Sequence, residues 1–134
     1  MKRYLGEHIE VTYDAARCLH AAECVHGMPA VFDTAKRPWI APDAGDAAQL
    51  AAVIRRCPTG ALHYTLRPGE PEQPSIPTRV RLPEDGPVLL EGDLDLDGKR
   101  ETRAAICRCG RSSNQPYCDR SGPCVDWEYK EPGG

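Results

Sequence analysis

The chain has 134 residues, a formal net charge of −3 at pH 7 and seven cysteines. Its aliphatic runs, such as AAVI at 51–54, are too short to cross a membrane, and the near-neutral charge with 6% aromatic residues gives no sign of nucleic-acid binding. Leu, Ile, Val and Phe make up about 17% of the chain, which is below the usual level for a self-sufficient core. A small chain of this kind commonly needs a disulfide or a metal for stability.

The cysteine content favours metal over disulfides. The first residues, MKRYLGEHIE, contain no apolar segment of a secretory signal, and the number of cysteines is odd. Clustered cysteines without a leader are typical of metal binding in a reducing compartment. We therefore expect a cytoplasmic metal-binding protein.

The first half of the chain predicts a small α+β unit. Residues 9–13 alternate between apolar and polar side chains, as a strand does, and residues 61–66 form a second, closing strand. Asp46 can cap a helix through AAQLAAVIRR, which Pro58 ends. Two shorter strand-like pairs lie between these elements, Val31-Phe32 and Trp39-Ile40.

Prolines at positions 68, 71, 74 and 77 mark a boundary. Their period of three suits a stiff polyproline II spacer, and a segment that cannot fold is the simpler alternative. The second half contains RVRL, GPVLL and DLDLD with Gly-Pro and Asp-Gly turns between them, which predicts short strands of an all-β module. The predicted fold class is α+β: a small α+β domain (1–66), a Pro-rich linker (67–78) and a small β-rich domain (79–134).

The first cysteine set consists of Cys18, Cys24 and Cys57. Iron–sulfur clusters of the bacterial ferredoxin kind take several thiolates from one loop and one from a remote Cys-Pro, because a cuboidal cluster must be wrapped. Ala21 stands where the middle cysteine of such a loop would lie. Three thiolates suit a 3Fe–4S cluster directly. A 4Fe–4S cluster would need a further ligand, for which His20 and His26 are candidates.

The stretch RCLHAAECVHGMPAVFD…RPWIAPD…CPTGAL resembles the divergent single-cluster ferredoxin family, which is usually described as 4Fe–4S. The resemblance covers residues 4–66 and includes both the spacing and the flanking residues. It implies a small ferredoxin-like α+β domain with Cys18, Cys24 and Cys57 as cluster ligands. Three cysteines leave the choice between 3Fe–4S and 4Fe–4S open.

The second cysteine set consists of Cys107, Cys109, Cys118 and Cys124. On an extended strand, the first two thiolates point to the same face, so a modest bend lets both bind one metal ion. Asp119 can cap a short helix whose N-terminus would face an anionic cluster. Ser112 and Ser113 can donate to cluster sulfurs or simply shape the turn.

The stretch CRCGRSSNQPYCD resembles the CDGSH (NEET-like) iron–sulfur domain. The family pattern is C-x-C-x2-S/T-x3-P-x-C-D-G-S/T/A-H, and the similarity covers about residues 79–122. The residues in register are Cys107, Cys109, Ser112, Pro116, Cys118, Asp119 and Ser121. The resemblance implies a 2Fe–2S cluster in a β-rich fold, with three cysteine ligands and with Ser112 and Asp119 beside the cluster.

This sequence departs from the CDGSH pattern at its end. Arg120 stands where the family has glycine, Gly122 stands where it has its histidine ligand, and no histidine follows His63. Cys124 is the nearest soft ligand, and we predict that it is the fourth. The alternatives are a free Cys124, a histidine from the first half or from a second chain, and an oxygen ligand, which iron–sulfur clusters disfavour. The candidate oxygen ligands are Asp119 and Asp126.

Two redox-type clusters on one small chain favour an electron-transfer carrier or a redox sensor over an enzyme, since no nucleophile–base pair or nucleotide motif appears. The expected partners are redox proteins, a reductase and an acceptor, without nucleic acid or membrane, and a homodimer stays open. One alternative is a structural zinc adaptor, because C-x-C-x8-C-x5-C can hold a tetrahedral ion. Another is an accessory subunit that delivers electrons or clusters to an enzyme.

Overall fold

The computed structural model describes residues 1–67 and 69–129. The chain divides into two compact units, each built from separate stretches of sequence. The first contains Met1–Ala15, Ala22–Cys57 and Ala61–Glu72, and the second contains Ala16–Ala21, Pro58–Gly60 and the chain from Gln73 onward. Helices and two small sheets give a mixed α/β protein of two domains. The predicted sequence boundaries, 1–66 and 79–134, stay predictions, and residues 130–134 lie outside the described residues.

The sheet of the first unit is antiparallel, with the strand order β1-β2-β3-β4. Its strands are β1 (Lys2–Leu5), β2 (Ile9–Tyr13), β3 (Leu62–Leu66) and β4 (Glu70–Pro71). Val11 lies opposite Tyr64, and alternate residues of β2 are buried, as the two-residue period of a strand requires. The predicted strands at 9–13 and 61–66 are therefore confirmed. The pairs Val31-Phe32 and Trp39-Ile40 form no full strands and share one bridge, between Phe32 and Ile40.

Helices α1 (Glu23–Gly27) and α2 (Ala47–Arg55) complete the first unit. The side chain of Asp46 accepts a hydrogen bond from the backbone N–H of Gln49 at 3.1 Å, so the predicted cap of α2 is confirmed. Leu50 and Ile54 on α2 pack with Phe32 in a core where all three are fully buried. Burial of each such side chain contributes about 1.5–3 kcal/mol. The large apolar residues of the first unit are thus concentrated in one core.

The proline-rich segment is partly joined to the first sheet. Glu70 and Pro71 lie opposite Leu66 and Thr65 of β3, at the edge of the sheet, where a proline is tolerated. Pro68, the first proline of the predicted spacer, lies outside the described residues. A polyproline II spacer through all four prolines is therefore not confirmed.

The sheet of the second unit has the order β5-β6-β7, with β5 at Arg79–Arg81, β6 at Val88–Leu96 and β7 at Lys99–Ile106. The predicted RVRL strand is confirmed. GPVLL and DLDLD, predicted as two strands, belong to the single strand β6, which is interrupted by a register shift between Glu91 and Leu94. Gly92, inside that shift, has a φ of 152°, which a side chain rarely adopts. Strand β7 was not predicted, since its run KRETRAAI lacks an alternating pattern.

A buried polar network stabilises the second unit. The Arg17 guanidinium donates to the Glu101 carboxylate at 2.9 Å and to the carbonyl oxygens of Thr59 and Arg103 at 2.7 and 3.0 Å. The hydroxyl of Tyr117 donates to the same carboxylate at 2.8 Å. Arg17 and Glu101 are only 4% and 5% exposed, and buried charges persist only when they are paired. This network adds to a small apolar core that includes Leu19, Leu89, Ala105 and two cysteines, Cys118 and Cys124.

Within the described ranges, no helix has the length and apolar character needed to cross a membrane.

Candidate metal centres

The four cysteines of the second set form two pairs. The Sγ atoms of Cys107 and Cys109 are 3.8 Å apart, and those of Cys118 and Cys124 are 3.6 Å apart. Two thiolates on one tetrahedral metal ion, each bonded at about 2.3 Å, lie roughly 3.8 Å from each other. Each pair therefore has the spacing of two ligands of one metal ion.

Backbone hydrogen bonds hold the two pair-bearing segments side by side. The N–H of Cys107 donates to the carbonyl of Pro116 at 2.8 Å, and the N–H of Cys118 donates to the carbonyl of Ala105 at 2.8 Å. Strand β7 thus ends directly at Cys107, and the returning chain delivers Cys118 beside it. The positions of Cys107 and Cys118 therefore follow from backbone hydrogen bonds at the end of the sheet.

Three N–H groups converge on the sulfur of Cys107. The backbone N–H of Ser112 contributes most to lowering the pKa of Cys107 to about 7, against the effect of burial. The side-chain amide of Gln115, 3.5 Å from the sulfur, and the backbone N–H of Gly110, at 3.2 Å, act in the same direction. Because the thiolate is the form that binds metal, this loop prepares Cys107 as a ligand.

Cys118 lies in a different environment. Burial raises the pKa of Cys118 to about 11, and the backbone N–H of Arg120 acts in the opposite direction. Arg120, at the glycine position of the family pattern, has a φ of 62° in the left-handed region. The conformation that glycine would favour is therefore kept by an arginine, at a steric cost. Among the residues described, the buried Nε of Arg120 has no hydrogen-bond partner.

The predicted cofactor-binding residues, Ser112 and Asp119, hold the loop together. The hydroxyl of Ser112 donates to the carbonyl of Tyr117 and accepts from the N–H of Asn114 at 3.0 Å. Toward the cysteines, Ser112 presents its backbone N–H. The Ser112 hydroxyl thus stabilises the turn.

Asp119 closes the same loop through its carboxylate. It accepts from the N–H of Ser121 at 3.0 Å and from the N–H and hydroxyl of Ser113 at 2.9 and 2.7 Å. Hydrogen bonds from Ser121 and Ser113 hold the pKa of Asp119 well below its ordinary value. The helix that was expected directly after Asp119 instead begins at Pro123, as a short 3₁₀ helix (Pro123–Asp126).

The three cysteines of the first set lie at the ends of separate elements. Cys24 is in α1 and Cys57 follows α2, and both are half-buried against the core of the first unit. Cys18 is also half-buried and belongs to the second unit. Nowhere in 1–67 or 69–129 are three or more His, Cys, Asp or Glu side chains arranged to hold one metal ion. A cluster distributes its thiolates over several irons, so its ligands need not meet at a single ion.

The loop between Cys18 and Cys24 has an uncommon backbone. His20 and Ala22 have φ values of 57° and 65°, in the left-handed region. Such residues cost about 1–3 kcal/mol each and are concentrated at functional sites. His20 and His26, the candidate extra ligands of the first cluster, are both exposed.

Sequence reasoning missed several residues around the second set. Gly110 and Gln115, which donate to Cys107, carry no motif signal apart from their position inside the loop. The buried pair Arg17–Glu101 gave no signal either, because its residues are distant in sequence.

The comparisons with known proteins agree with these two sites. Residues 4–67 match the family described as a divergent 4Fe-4S mono-cluster, and residues 85–121 match the family described as an iron-binding zinc finger of the CDGSH type. The chain belongs to the divergent 4Fe-4S mono-cluster family and carries a CDGSH-type iron-binding domain as well. Both resemblances predicted from the sequence are confirmed, and iron–sulfur binding is supported for each domain.

Among curated proteins, the chain is similar to the uncharacterized protein YjdI of Escherichia coli K12 and to YjdI of Escherichia coli O157:H7. Each is 44% identical over 61 residues, which cover 46% of this chain and 80% of the relative. No solved structure matches the chain. The match to the CDGSH family ends at Ser121, before Cys124.

Proposed function

We propose that this protein is an electron-transfer carrier with two iron–sulfur clusters. The first domain would bind a 3Fe–4S or 4Fe–4S cluster through Cys18, Cys24 and Cys57, and the second would bind a 2Fe–2S cluster. The observation that carries the proposal is the arrangement of the second set in two thiol pairs with sulfur separations of 3.8 and 3.6 Å. A binuclear cluster needs two terminal ligands on each iron, which two such pairs can supply.

The same arrangement disfavours the zinc adaptor. A structural zinc ion is bound by four ligands around one centre, each about 2.3 Å from it when the ligand is a thiolate. Within the described part of the chain, no three candidate ligands are arranged in this way, although the thiols are close in pairs. A centre with two metal ions suits this donor set better than a centre with one.

The unequal exposure of the two pairs supports a role in electron transfer. Cys107 and Cys109 are partly exposed, whereas Cys118 and Cys124 are buried, with 2% and 8% of their surface accessible. One side of the centre is therefore shielded, and the other can be approached by a protein partner. We expect a reductase and an acceptor to approach at the Cys107–Cys109 side, in a reducing compartment such as the cytoplasm.

The test is anaerobic purification with iron and acid-labile sulfide analysis, followed by EPR of the reduced protein. The expected result is a brown protein with two distinct EPR centres that pass electrons to an acceptor protein after reduction. A colourless protein with one zinc ion would support the adaptor instead. Clusters that reduce only when the protein is bound to an enzyme would support the accessory subunit.

A further inference from the structure

We infer that Cys124 is the fourth ligand of the second cluster, sharing one iron with Cys118 while Cys107 and Cys109 hold the other. This inference rests on the proposed 2Fe–2S cluster and extends it to a residue outside the matched CDGSH segment. The result would be a cluster ligated only by thiolates, in a domain whose family pattern ends in histidine.

The spacing of the two pairs is the first argument. Cys118 and Cys124 are 3.6 Å apart, which is nearly the 3.8 Å separation of Cys107 and Cys109. Both values are close to the roughly 3.8 Å expected for two thiolates on one tetrahedral metal ion. The Cys118–Cys124 pair thus has nearly the same sulfur–sulfur distance as the Cys107–Cys109 pair.

The backbone at position 122 packs closely against Cys109. A Cβ atom added to Gly122 would lie 2.5 Å from the sulfur of Cys109 and 3.3 Å from its Cβ. Real Cβ atoms do not approach so closely, so a histidine at the position where the family has its ligand would require the Cys109 sulfur to move. The backbone of residue 122 lies beside Cys109, and the thiol of Cys124 follows in the next turn.

The short helix Pro123–Asp126 delivers Cys124 to this place. The N–H of Val125 donates to the carbonyl of Gly122, and the N–H of Trp127 donates to the carbonyl of Cys124, both at 3.0 Å. The turn points the Cys124 side chain into the small core with Leu89 and Cys118, while Val125 is 57% exposed. The position of Cys124 is therefore defined on both sides by backbone hydrogen bonds.

The oxygen ligands are less suitable. The carboxylate of Asp119 already accepts three hydrogen bonds from Ser113 and Ser121. Asp126 is exposed, whereas Cys124 beside it in the same helix is buried. Iron–sulfur clusters also prefer thiolate to carboxylate. Among these donors, Cys124, whose sulfur lies 3.6 Å from that of Cys118, is therefore the best suited as fourth ligand.

An additional thiolate changes the charge of the centre. It replaces a neutral imidazole with an anion, which lowers the reduction potential, and it removes a group that titrates near neutral pH. The buried Nε of Arg120, without a partner in the described chain, belongs to a cation two residues beyond Cys118. An arginine in place of the family glycine thus suits a more negative centre.

The experiment compares Cys124→Ser, Cys124→His and Val125→Ser with the native full-length chain. All four are reconstituted anaerobically, and the second cluster is followed by visible circular dichroism, EPR and redox titration from pH 6 to 9. We expect a pH-independent potential for the native protein and for Val125→Ser, the matched control on the same helix. We expect loss of the native 2Fe–2S signal in Cys124→Ser. Cys124→His should give a higher potential that depends on pH.

The outcomes separate this inference from the proposed function. A native protein whose second cysteine set binds no iron and sulfide would overturn both. A native 2Fe–2S centre that keeps its spectrum and potential in Cys124→Ser would overturn the inference alone, and would indicate a histidine from elsewhere or from a second chain. If Cys124→Ser does not fold, Cys124→His decides, because an unchanged, pH-independent potential in that variant also removes Cys124 from the site.

Discussion

The two cysteine sets reach their positions in different ways. The second set lies within one stretch, 107–124, where backbone hydrogen bonds and loop N–H groups surround the sulfurs directly. The first set is dispersed: Cys24 belongs to a short helix, Cys57 follows the end of α2, and Cys18 lies in a separate loop. A local set acquires much of its geometry from its own loop. A dispersed set depends on whole elements folding first.

The largest expected effect tests whether the two sets are independent. Cys107→Ser should abolish the 2Fe–2S signal and leave the first cluster, and Cys57→Ser should do the reverse, because each substitution removes a ligand from one set. Iron and sulfide analysis with EPR of the reduced proteins measures both. If either substitution removed both EPR signals, the two cysteine sets would form one cooperative assembly and would not be independent.

The next effect tests how strongly a charged pair stabilises the unit around the local set. Arg17→Ala should lower the free energy of unfolding of the second unit by about 1.5–3 kcal/mol, because the buried Glu101 carboxylate loses its guanidinium partner but keeps the Tyr117 hydroxyl at 2.8 Å and the Lys99 ammonium at 3.5 Å. Native-state hydrogen exchange of the β7 amides measures this loss. Arg79→Ala, at an exposed position on β5, is the matched control and should change exchange little. If Arg17→Ala and Arg79→Ala changed the exchange of the β7 amides equally, the Arg17–Glu101 pair would have no special role in stability.

A smaller effect tests the close approach beside Cys109. Gly122→Ala should destabilise the second site by about 1–3 kcal/mol, since its Cβ would lie 2.5 Å from the Cys109 sulfur. The rate of cluster loss in the presence of a chelator measures it. Gly69→Ala adds a Cβ that has no described atom within 4 Å apart from its chain neighbours, and it should behave as the native protein does. A Gly122→Ala protein that loses its cluster at the native rate would contradict the packing argument.

The smallest effect concerns helix α2, which directly precedes Cys57 of the dispersed set. Asp46→Ala should destabilise α2 by about 1 kcal/mol because the hydrogen bond to the N–H of Gln49 is lost. Asp46→Asn should restore most of this stability, since asparagine caps equally well. Hydrogen exchange of the α2 amides measures both. We expect Asp46→Ala to release the first cluster slightly faster and the second cluster at the native rate. Faster release of the second cluster alone would contradict the difference between the two cysteine sets.

Some of the fold was predictable because its signals are local. The alternation at 9–13 and the Asp46 cap before an apolar face each specify one element within a few residues. Strand β7 was missed because Glu101 and Arg103 occupy buried positions where a half-buried strand normally has apolar residues. The burial of Glu101 is explained by Arg17, whose guanidinium donates to its carboxylate. No nearby residue indicates such a contact.

The candidate site divides in the same way. The sequence by itself determined the two families, the C-x-C pair and the absence of the terminal histidine. Each of these depends on residue identity and short spacing. Only the tertiary structure decided that Cys118 and Cys124 lie 3.6 Å apart, that Gly122 packs on the Cys109 sulfur and that Arg120 adopts the conformation of a glycine. These depend on how the chain turns after Cys118. That turn is set by the hydrogen bonds of Ser113 and Ser121 to Asp119 and by the packing of Gly122 on Cys109, contacts that residue identity and short spacing do not specify.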